Sequence, residues 1–447
     1  MFHTIQLSKS DPTPLYIQLA SELAKLIQEG YLTEGMKLPT IRFLSKQLSI
    51  NRDTVVSAYK LLENQGLVES HIGKGTYIST HAPPTVPTLI PDMTTQICCS
   101  HIGIPKTFFP SSLCLDLATD IIKSENWEAF IDPLYRERHL LKHSACDFLK
   151  HLCIPHHYAQ VRIIKTMDQF LLDLFKDSPK IGICVETIRD LSWSCYLRSL
   201  GAKIYEVPLT SEGMDLNVLE KYLHTGNIAY IFISSLFQNP TSICYSTSCK
   251  KQLIQLAIQY NCIIIDDITY SSFLPSIPNT MLDDNLPVIY IHQFSKLYLP
   301  YLNYTFAILP LTHIKRLRDS IECSFNERLL HYYLKSAELK AIEQTILSTF
   351  TERYHLLSNA LQQLPLRLAI HQSGLFFWIR VSLKEYDTFC QYLLTHDIII
   401  SPGDLFATTS LKGYFRLSIT HLDLPQTYQV IQVFNNFFKN DCHMKVD

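Results

Sequence analysis

The sequence lacks a surplus of either charge. Its 447 residues carry 39 Lys and Arg against 41 Asp and Glu, a net charge of −2 with neutral histidines. That excludes a polycation binding nucleic acid over its whole surface, so any nucleic-acid face must be local. Paired cysteines are missing too. The 13 cysteines are scattered, none forms a C-x-x-C pair, and the one close pair is Cys98-Cys99. A zinc site is therefore not expected, and an odd count in a long chain fits reduced thiols better than a disulfide framework. The opening stretch, MFHTIQLSKSDPTP, has no basic region followed by an apolar run, which reads as no signal peptide. No apolar stretch reaches the ~18 residues of a membrane span. Neither an internal repeat nor a coiled-coil pattern is visible. These absences lead to the expectation of a cytoplasmic protein with no membrane partner.

Apolar residues, by contrast, are plentiful. They make up 47% of the chain and charged residues 18%, enough for large cores and, at this length, two or three domains. Three zones stand out: residues 1–79, with short helical patterns and a hairpin; residues 80–105, a Pro/Thr-rich spacer containing THAPPTVPTLIPDMTT; and residues 106–440, where apolar strand-like runs alternate with helical segments. The prolines of the middle zone are incompatible with helix interiors and favour an extended linker. Runs such as KIGICVE, IAYIFISSL, CIIIDDI and VIYIHQF are nearly continuous in apolar character. That suits strands buried on both faces of a parallel sheet.

In the first zone, Leu15, Leu19, Leu23, Leu26 and Ile27 recur at helical spacing and Gly30 is a terminator. LPTIRFLSKQLS reads as a second short helix. INRDTVVSAYKLLENQG reads as a third, with Asn51 as N-cap, Asp53 in the first turn, and Val55, Tyr59 and Leu62 on one apolar face. Arg52, Thr54, Ser57 and Lys60 fall mostly on the opposite side. Two helices joined by a tight turn, the second polar and basic near its start, is helix-turn-helix geometry. LVESHIGKGTYIS then predicts two strands flanking the hairpin tip Gly73-Lys74-Gly75, a wing. Residues 12–79 resemble a GntR-family winged helix-turn-helix domain from end to end, including the G-x-L-x-x-G-x-x-L-P stretch from Gly30. The resemblance implies double-stranded operator DNA as partner. It implies Arg42 and Arg52 at phosphate and base edge, Thr54 at phosphate, and Lys74, Gly75 and Thr76 at the minor groove.

The third zone offers the parts of a pyridoxal phosphate site in order. That cofactor needs a lysine for a Schiff base, a carboxylate for its ring nitrogen, a donor for its ring oxygen and an anion cradle for its phosphate. FQNPTS supplies Asn239, IIIDDITYSSF supplies Asp267 and Tyr270, and HQFSK supplies Lys296. Each follows an apolar run, where an α/β sheet presents functional groups. The zone resembles fold-type I aminotransferases, most clearly in SGLFFWIRV, IIISPGDLF and YFRLSIT, where Arg416 stands at the family's ligand-carboxylate position. A GntR-type head on such a domain is the layout of MocR-type bacterial regulators. The fold class implied is therefore multidomain: an α+β winged helix-turn-helix plus an α/β fold-type I PLP-transferase-like domain. By the same resemblance the chain would be a homodimer.

The departures lie at the phosphate. The position of the family's phosphate arginine is Asn303, the preceding glycine is Tyr301, and IIKTMDQF lacks any glycine where the phosphate-cradling turn would lie. Ser242 replaces the glycine after Asn239-Pro240-Thr241, and the proline-aromatic segment near CVETIRD is gone. Lys165 and Arg189 are the nearest alternative sources of charge. Three readings follow. The first is a DNA-binding regulator whose large domain senses a small amino compound or a vitamin B6 effector, with pyridoxal phosphate at Lys296. The second is a regulator with a cofactor-free scaffold domain. The third, an active aminotransferase with an appended head, is disfavoured by the eroded phosphate site.

Overall fold

The computed structural model describes residues 7, 14–28, 32, 35–64, 67–71, 75–79, 96–105, 108–130, 140–175, 182–225, 227–273, 286–294, 298–299, 302, 304–317, 319, 325–368 and 374–440. Lys296, Lys74, Gly73, Tyr301, Asn303 and most of the proline-rich spacer lie outside them. The chain forms two compact units, residues 1–93 and 94–447.

In the first unit, α1 (Leu15–Gln28), α2 (Ile41–Leu48) and α3 (Arg52–Asn64) precede a hairpin of β1 (Val68–His71) and β2 (Gly75–Ile78). Leu19, Leu23, Leu44, Val55, Ala58, Leu62, Val68 and Ile78 close into one core. The helical spacing read from the sequence thus becomes the packing face. The hairpin pairs Val68 with Ile78. Its outer edge is extended by residues 35–38: the Gly35 amide donates to the Ile78 carbonyl (3.0 Å) and the Leu38 amide to that of Thr76 (2.8 Å).

The second unit begins with β3 (Ile97–Cys98). The strands β4 (Val161–Ile164), β5 (Gly182–Glu186) and β6 (Lys203–Val207) follow, then a small hairpin, β7 (Leu209–Thr210) and β8 (Gly213–Met214). After these come β9 (Ile228–Ile233), β10 (Ile263–Asp267), β11 (Val288–His292) and β12 (Thr305–Ile308). Seven of them form one sheet in the order β4-β12-β11-β10-β9-β5-β6. The pairings of β11, β10, β9, β5 and β6 are parallel, and β12 runs antiparallel to both its neighbours. Successive residues of β10 enter opposite apolar layers, Ile264 on one face and Ile263 and Ile265 on the other. Helices cover both faces, which is why the strand sequences read as unbroken apolar runs. Each such side chain contributes about 1.5–3 kcal/mol on burial.

The remaining strands are β13 (Arg367–Leu368), β14 (Phe376–Arg380), β15 (Ile398–Ile399), β16 (Ser401–Pro402) and β17 (Tyr414–Ser418). They build a four-stranded sheet, β13-β14-β17-β16, while β15 pairs in parallel with β3. Residues 96–105, within the stretch read as spacer, are therefore folded into the second unit, because Ile97, Cys99 and Ile104 bury their side chains in its core. Among the described residues no helix is long and apolar enough to cross a membrane.

His292, the last residue of β11, is 1% exposed, and burial pulls its pKa down to about 3. Its Nε2 lies 2.9 Å from the Ser272 hydroxyl. The unfolded chain protonates this histidine below about pH 6.5. The folded chain refuses the proton until about pH 3. Its contribution to stability is thus present above pH 6.5 and falls as pH falls toward 3. Urea unfolding at pH 7 and pH 5 checks this. The wild type is expected to lose on the order of 1–2 kcal/mol more than His292→Gln over that interval.

Candidate functional site

On the first unit, the turn between α2 and α3 is fixed by local bonds. The Thr40 hydroxyl accepts from the Phe43 amide (3.3 Å), capping α2. Ser49 sits in the left-handed region (φ 50°), and the Ser45 hydroxyl donates to the Ile50 carbonyl (2.7 Å). The Asn51 side chain accepts from the Asp53 amide (3.3 Å) at the start of α3, as the N-cap reading requires. With Val55, Ala58, Tyr59 and Leu62 turned inward, Arg52, Ser57 and Lys60 are exposed, Thr54 is half-buried, and Arg42 is exposed on α2. On the wing, Gly75 is exposed at φ +111°, a conformation that favours glycine, and Thr76 is half-buried with its hydroxyl 3.4 Å from that of Ser70. Sequence reasoning passed over Lys37. Its side chain runs past Gly75, where an added Cβ would lie 2.7 Å from Lys37 Cε, and its ammonium stands over the Tyr77 ring at 5.5 Å. Lys37 thus belongs to the wing's basic surface, a placement created by the pairing of residues 35–38 with β2.

The second unit holds a cavity of about 280 Å³ at the carboxyl ends of its strands. Asp267 ends β10 and Glu186 ends β5. Ser234 and Gln293 directly follow β9 and β11. This is where an open α/β sheet with parallel strands presents ligand groups. Asn239, Asp267 and Tyr270, three of the four cofactor residues read from the sequence, all line it. Asp267 is held by three donors: the Thr269 amide (3.0 Å), the Thr269 hydroxyl, and the Gln293 side-chain amide (2.8 Å). Tyr270 is 6% exposed and packs edge-on against Phe376.

Arg416, on β17, reaches the same region. Its guanidinium donates to Asn239 Oδ1 (2.6 Å), the Ser100 carbonyl (2.5 Å) and the Ser401 hydroxyl (3.3 Å). It lies over the rings of Phe406 (4.8 Å) and Phe376 (5.7 Å). The sequence reading gave Asn239 to a ring and Arg416 to a ligand carboxylate; the structure joins the two. Arg416 Nε, like Arg353 Nη1, is buried without a hydrogen-bond partner among the described residues. Ser242 stands at φ +61°, where a glycine was anticipated, and its hydroxyl donates to the Phe376 carbonyl (3.0 Å).

Three further acids, Asp168, Glu186 and Asp190, line the cavity, and Arg189 is the one cation among the described lining residues. Arg189 is committed elsewhere: Nε donates to Ser194 (3.1 Å), Nη1 to the Glu186 carbonyl (2.6 Å) and Nη2 to Glu206 (3.1 Å). Lys165 is half-buried outside the lining. Thr166 accepts the Gln169 amide at the start of helix Met167–Phe175, and Asp168 occupies that helix's first turn. Glu186 is 3% exposed; burial raises its pKa to about 7 against the hydrogen bonds from Tyr245 (2.6 Å), Gln238 (2.9 Å) and the Ser234 amide (3.2 Å). Beside it, Asp266 is raised by burial to about 6 while Ser235 donates to both its oxygens.

Tested against pyridoxal phosphate, the described lining supplies a carboxylate for the ring nitrogen, Asp267, and groups for the ring oxygen, Asn239 and Tyr270. Its one cation, Arg189, is bonded to Glu206, and Lys296, Tyr301 and Asn303 lie outside the described residues. Among the described residues the ring is provided for and a phosphate anchor is not.

The fold is that of solved aminotransferases. A multiple-substrate aminotransferase from Thermococcus profundus superposes with a TM-score of 0.67 at 19% identity, over 78% of this chain and 93% of that one. Residues 15–78 match the bacterial regulatory proteins of the gntR family, and residues 311–434 match aminotransferase class I and II. The molecule is thus a GntR-type DNA-binding domain joined to an aminotransferase-like domain. Two relatives share this extent. The uncharacterized HTH-type transcriptional regulator YdfD of Bacillus subtilis is 24% identical, with 93% of this chain and 94% of that protein aligned. YdcR of Escherichia coli, of the same description, is 24% identical over 90% and 94%. The chain is a transcriptional regulator with an aminotransferase-like domain, similar in layout to HTH-type regulators of the MocR type.

A further group, unread in the sequence, adjoins Arg416. Cys98 Sγ lies 3.2 Å from His101 Nδ1 and 3.5 Å from the Ser100 hydroxyl. Burial raises this thiol's pKa, but the hydrogen bonds from His101 and Ser100 bring it down to about 6. The C-x-x-H spacing was the available signal. At pH 7 Cys98 is expected to be alkylated by iodoacetamide ahead of the exposed Cys153, with His101→Ala slowing the reaction roughly tenfold. Peptide mass mapping of a time course reads this out, and equal labelling of both cysteines would contradict it.

Proposed function

We propose that this regulator binds operator DNA through Arg42, Arg52, Thr54, Lys37 and the wing residues Lys74, Gly75 and Thr76, and that its second unit senses a small molecule in the strand-end cavity. The convergence of Asp267, Asn239 and Tyr270 on one cavity, in a chain that also carries a DNA-binding head, is the observation that carries the reading. The ligand is a ring compound of the vitamin B6 type. Asp267 pairs with its ring nitrogen, Asn239 and Tyr270 with its ring oxygen, and Lys296 is its covalent partner residue. Arg416, through its bond to Asn239, holds the ring-oxygen side in place. The working form is a homodimer, and residues 80–95 connect head and sensor. Ligand binding alters DNA affinity to the extent that the ligand prefers one arrangement of the dimer. Turnover as an aminotransferase is not part of this reading. A cofactor released from its lysine during transamination depends on its phosphate anchor to stay bound, and the described residues give that anchor little support.

DNA selection from a random-sequence pool, followed by fluorescence anisotropy, tests the first half. The intact protein is expected to enrich a defined sequence. Arg52→Ala should weaken binding by about 1–3 kcal/mol, and loss of a phosphate contact at Arg42 should reduce the salt slope by about one. Enrichment of no sequence would overturn the assignment. For the second half, DNA affinity is measured with and without pyridoxal in the wild type, Asp267→Asn and Lys296→Ala. The wild type should respond and both variants lose the response. Three identical, ligand-indifferent proteins would assign the second unit to a scaffold role.

A further inference from the structure

Asn239 lines the cavity from a turn that is tied to the large sheet by a side chain outside the lining. That side chain is Gln238, which is 0% exposed and uses all four hydrogen-bonding positions of its amide. Its Nε2 donates to Glu186 Oε2 (2.9 Å), at the end of β5, and to the Ile188 carbonyl (2.6 Å). Its Oε1 accepts from the Thr241 amide (2.9 Å) and the Thr241 hydroxyl (2.5 Å). The Gln238 carbonyl also accepts from the Ser242 amide (2.6 Å), and the Ser242 hydroxyl donates to the Phe376 carbonyl (3.0 Å). Asn239 is therefore anchored through the residue before it and through Thr241 and Ser242 after it. The orientation of its own amide follows from Arg416. A guanidinium only donates, so the bond from Arg416 Nη1 (2.6 Å) fixes Oδ1 on the arginine side. What Asn239 keeps for a ligand is Nδ2, a donor. A buried donor held in place discriminates against any ligand that leaves it unpaired.

We propose, resting on the reading of the second unit as a ring-binding sensor, that Gln238 is a positioning residue that sets the cavity's specificity for a ring bearing an acceptor oxygen. It acts through Asn239 and touches no ligand. By tying the turn to the end of β5, it holds Asn239 Nδ2 in one place and one rotation. A ring oxygen is bonded there at little ordering cost, because the donor is already fixed. A ring without that oxygen forfeits the bond and leaves the donor buried.

Titration of the full-length protein with pyridoxal and with 3-deoxypyridoxal, which lacks the ring oxygen, tests this. Both probes carry the aldehyde that Lys296 would engage, so the ratio of their affinities isolates the oxygen. The wild type is expected to prefer pyridoxal by about tenfold or more. Gln238→Met, of similar length but without the amide, should lose most of that preference by weakening pyridoxal alone, down to the ratio seen in Asn239→Ala. A side chain needed only for stability would weaken both probes equally, and that result would overturn the proposal. Thr241→Val and Thr241→Ser repeat the test more gently, by removing or keeping one hydroxyl bond to Gln238. The valine variant should lower the preference by about threefold and the serine variant should retain it. Where Gln238→Met fails to fold, this pair decides, and an unchanged preference in Thr241→Val would overturn the proposal. Equal affinity of the wild type for both probes would overturn it while leaving the ring-binding sensor intact. Binding of neither, by protein that still selects DNA, would overturn the sensor reading and the proposal with it.

Discussion

The parallel pairing of β9, β10 and β11 sets where Ser234, Asp267 and Gln293 stand. Asp266 lies beside Ile233 on one side, and Asp267 beside Ile291 on the other. Because all three strands run the same way, their carboxyl ends finish within one residue or so of each other. Ser234, Asp267 and Gln293 therefore emerge together above a sheet that is apolar on both faces. A one-residue slip would carry Asp267 into an apolar layer and bring Ile268 to the cavity. The two large clusters on either side of the sheet make such a slip costly, so the site inherits its geometry from the core. Asp266 shows how narrow the margin is. One residue earlier, its carboxylate is 1% exposed, and its charge is sustained there only with both oxygens bonded by Ser235.

That dependence explains what could be read from the chain before its structure. The helix-turn-helix was legible because its signals are local: Asn51 two residues before Asp53, and Val55, Tyr59 and Leu62 on one helical face. The cavity position of Asp267 was legible for a similar reason, since it closes an apolar run whose end a sheet must present to solvent or ligand. The fate of Arg189 was not legible. Its partner Glu206 lies on the neighbouring strand β6, 17 residues away, and no periodicity links them. Asn239 and Arg416 are 177 residues apart, and only the folding of the small sheet against the large one brings them together. The spacer's upper boundary was also hidden, since Ile97 and Cys99 become core only through pairing with β15, some 300 positions later. Lys37 likewise reaches the wing through a strand-like pairing too short to leave a pattern.

The charge distribution around the cavity gives the two halves of the chain a common logic. An aminotransferase must hold its cofactor through repeated exchange at the lysine, and strong anchorage at the phosphate serves that need. A sensor needs the reverse, a ligand that leaves when its concentration falls, so that occupancy tracks supply. Asp267, Asn239 and Tyr270 line one cavity with Asp168, the acid in the first turn of helix Met167–Phe175, while Arg189 is tied to Glu206. Glu186 adds a further element. Its burial places its titration near neutrality, and three donors hold it against the core of the sheet.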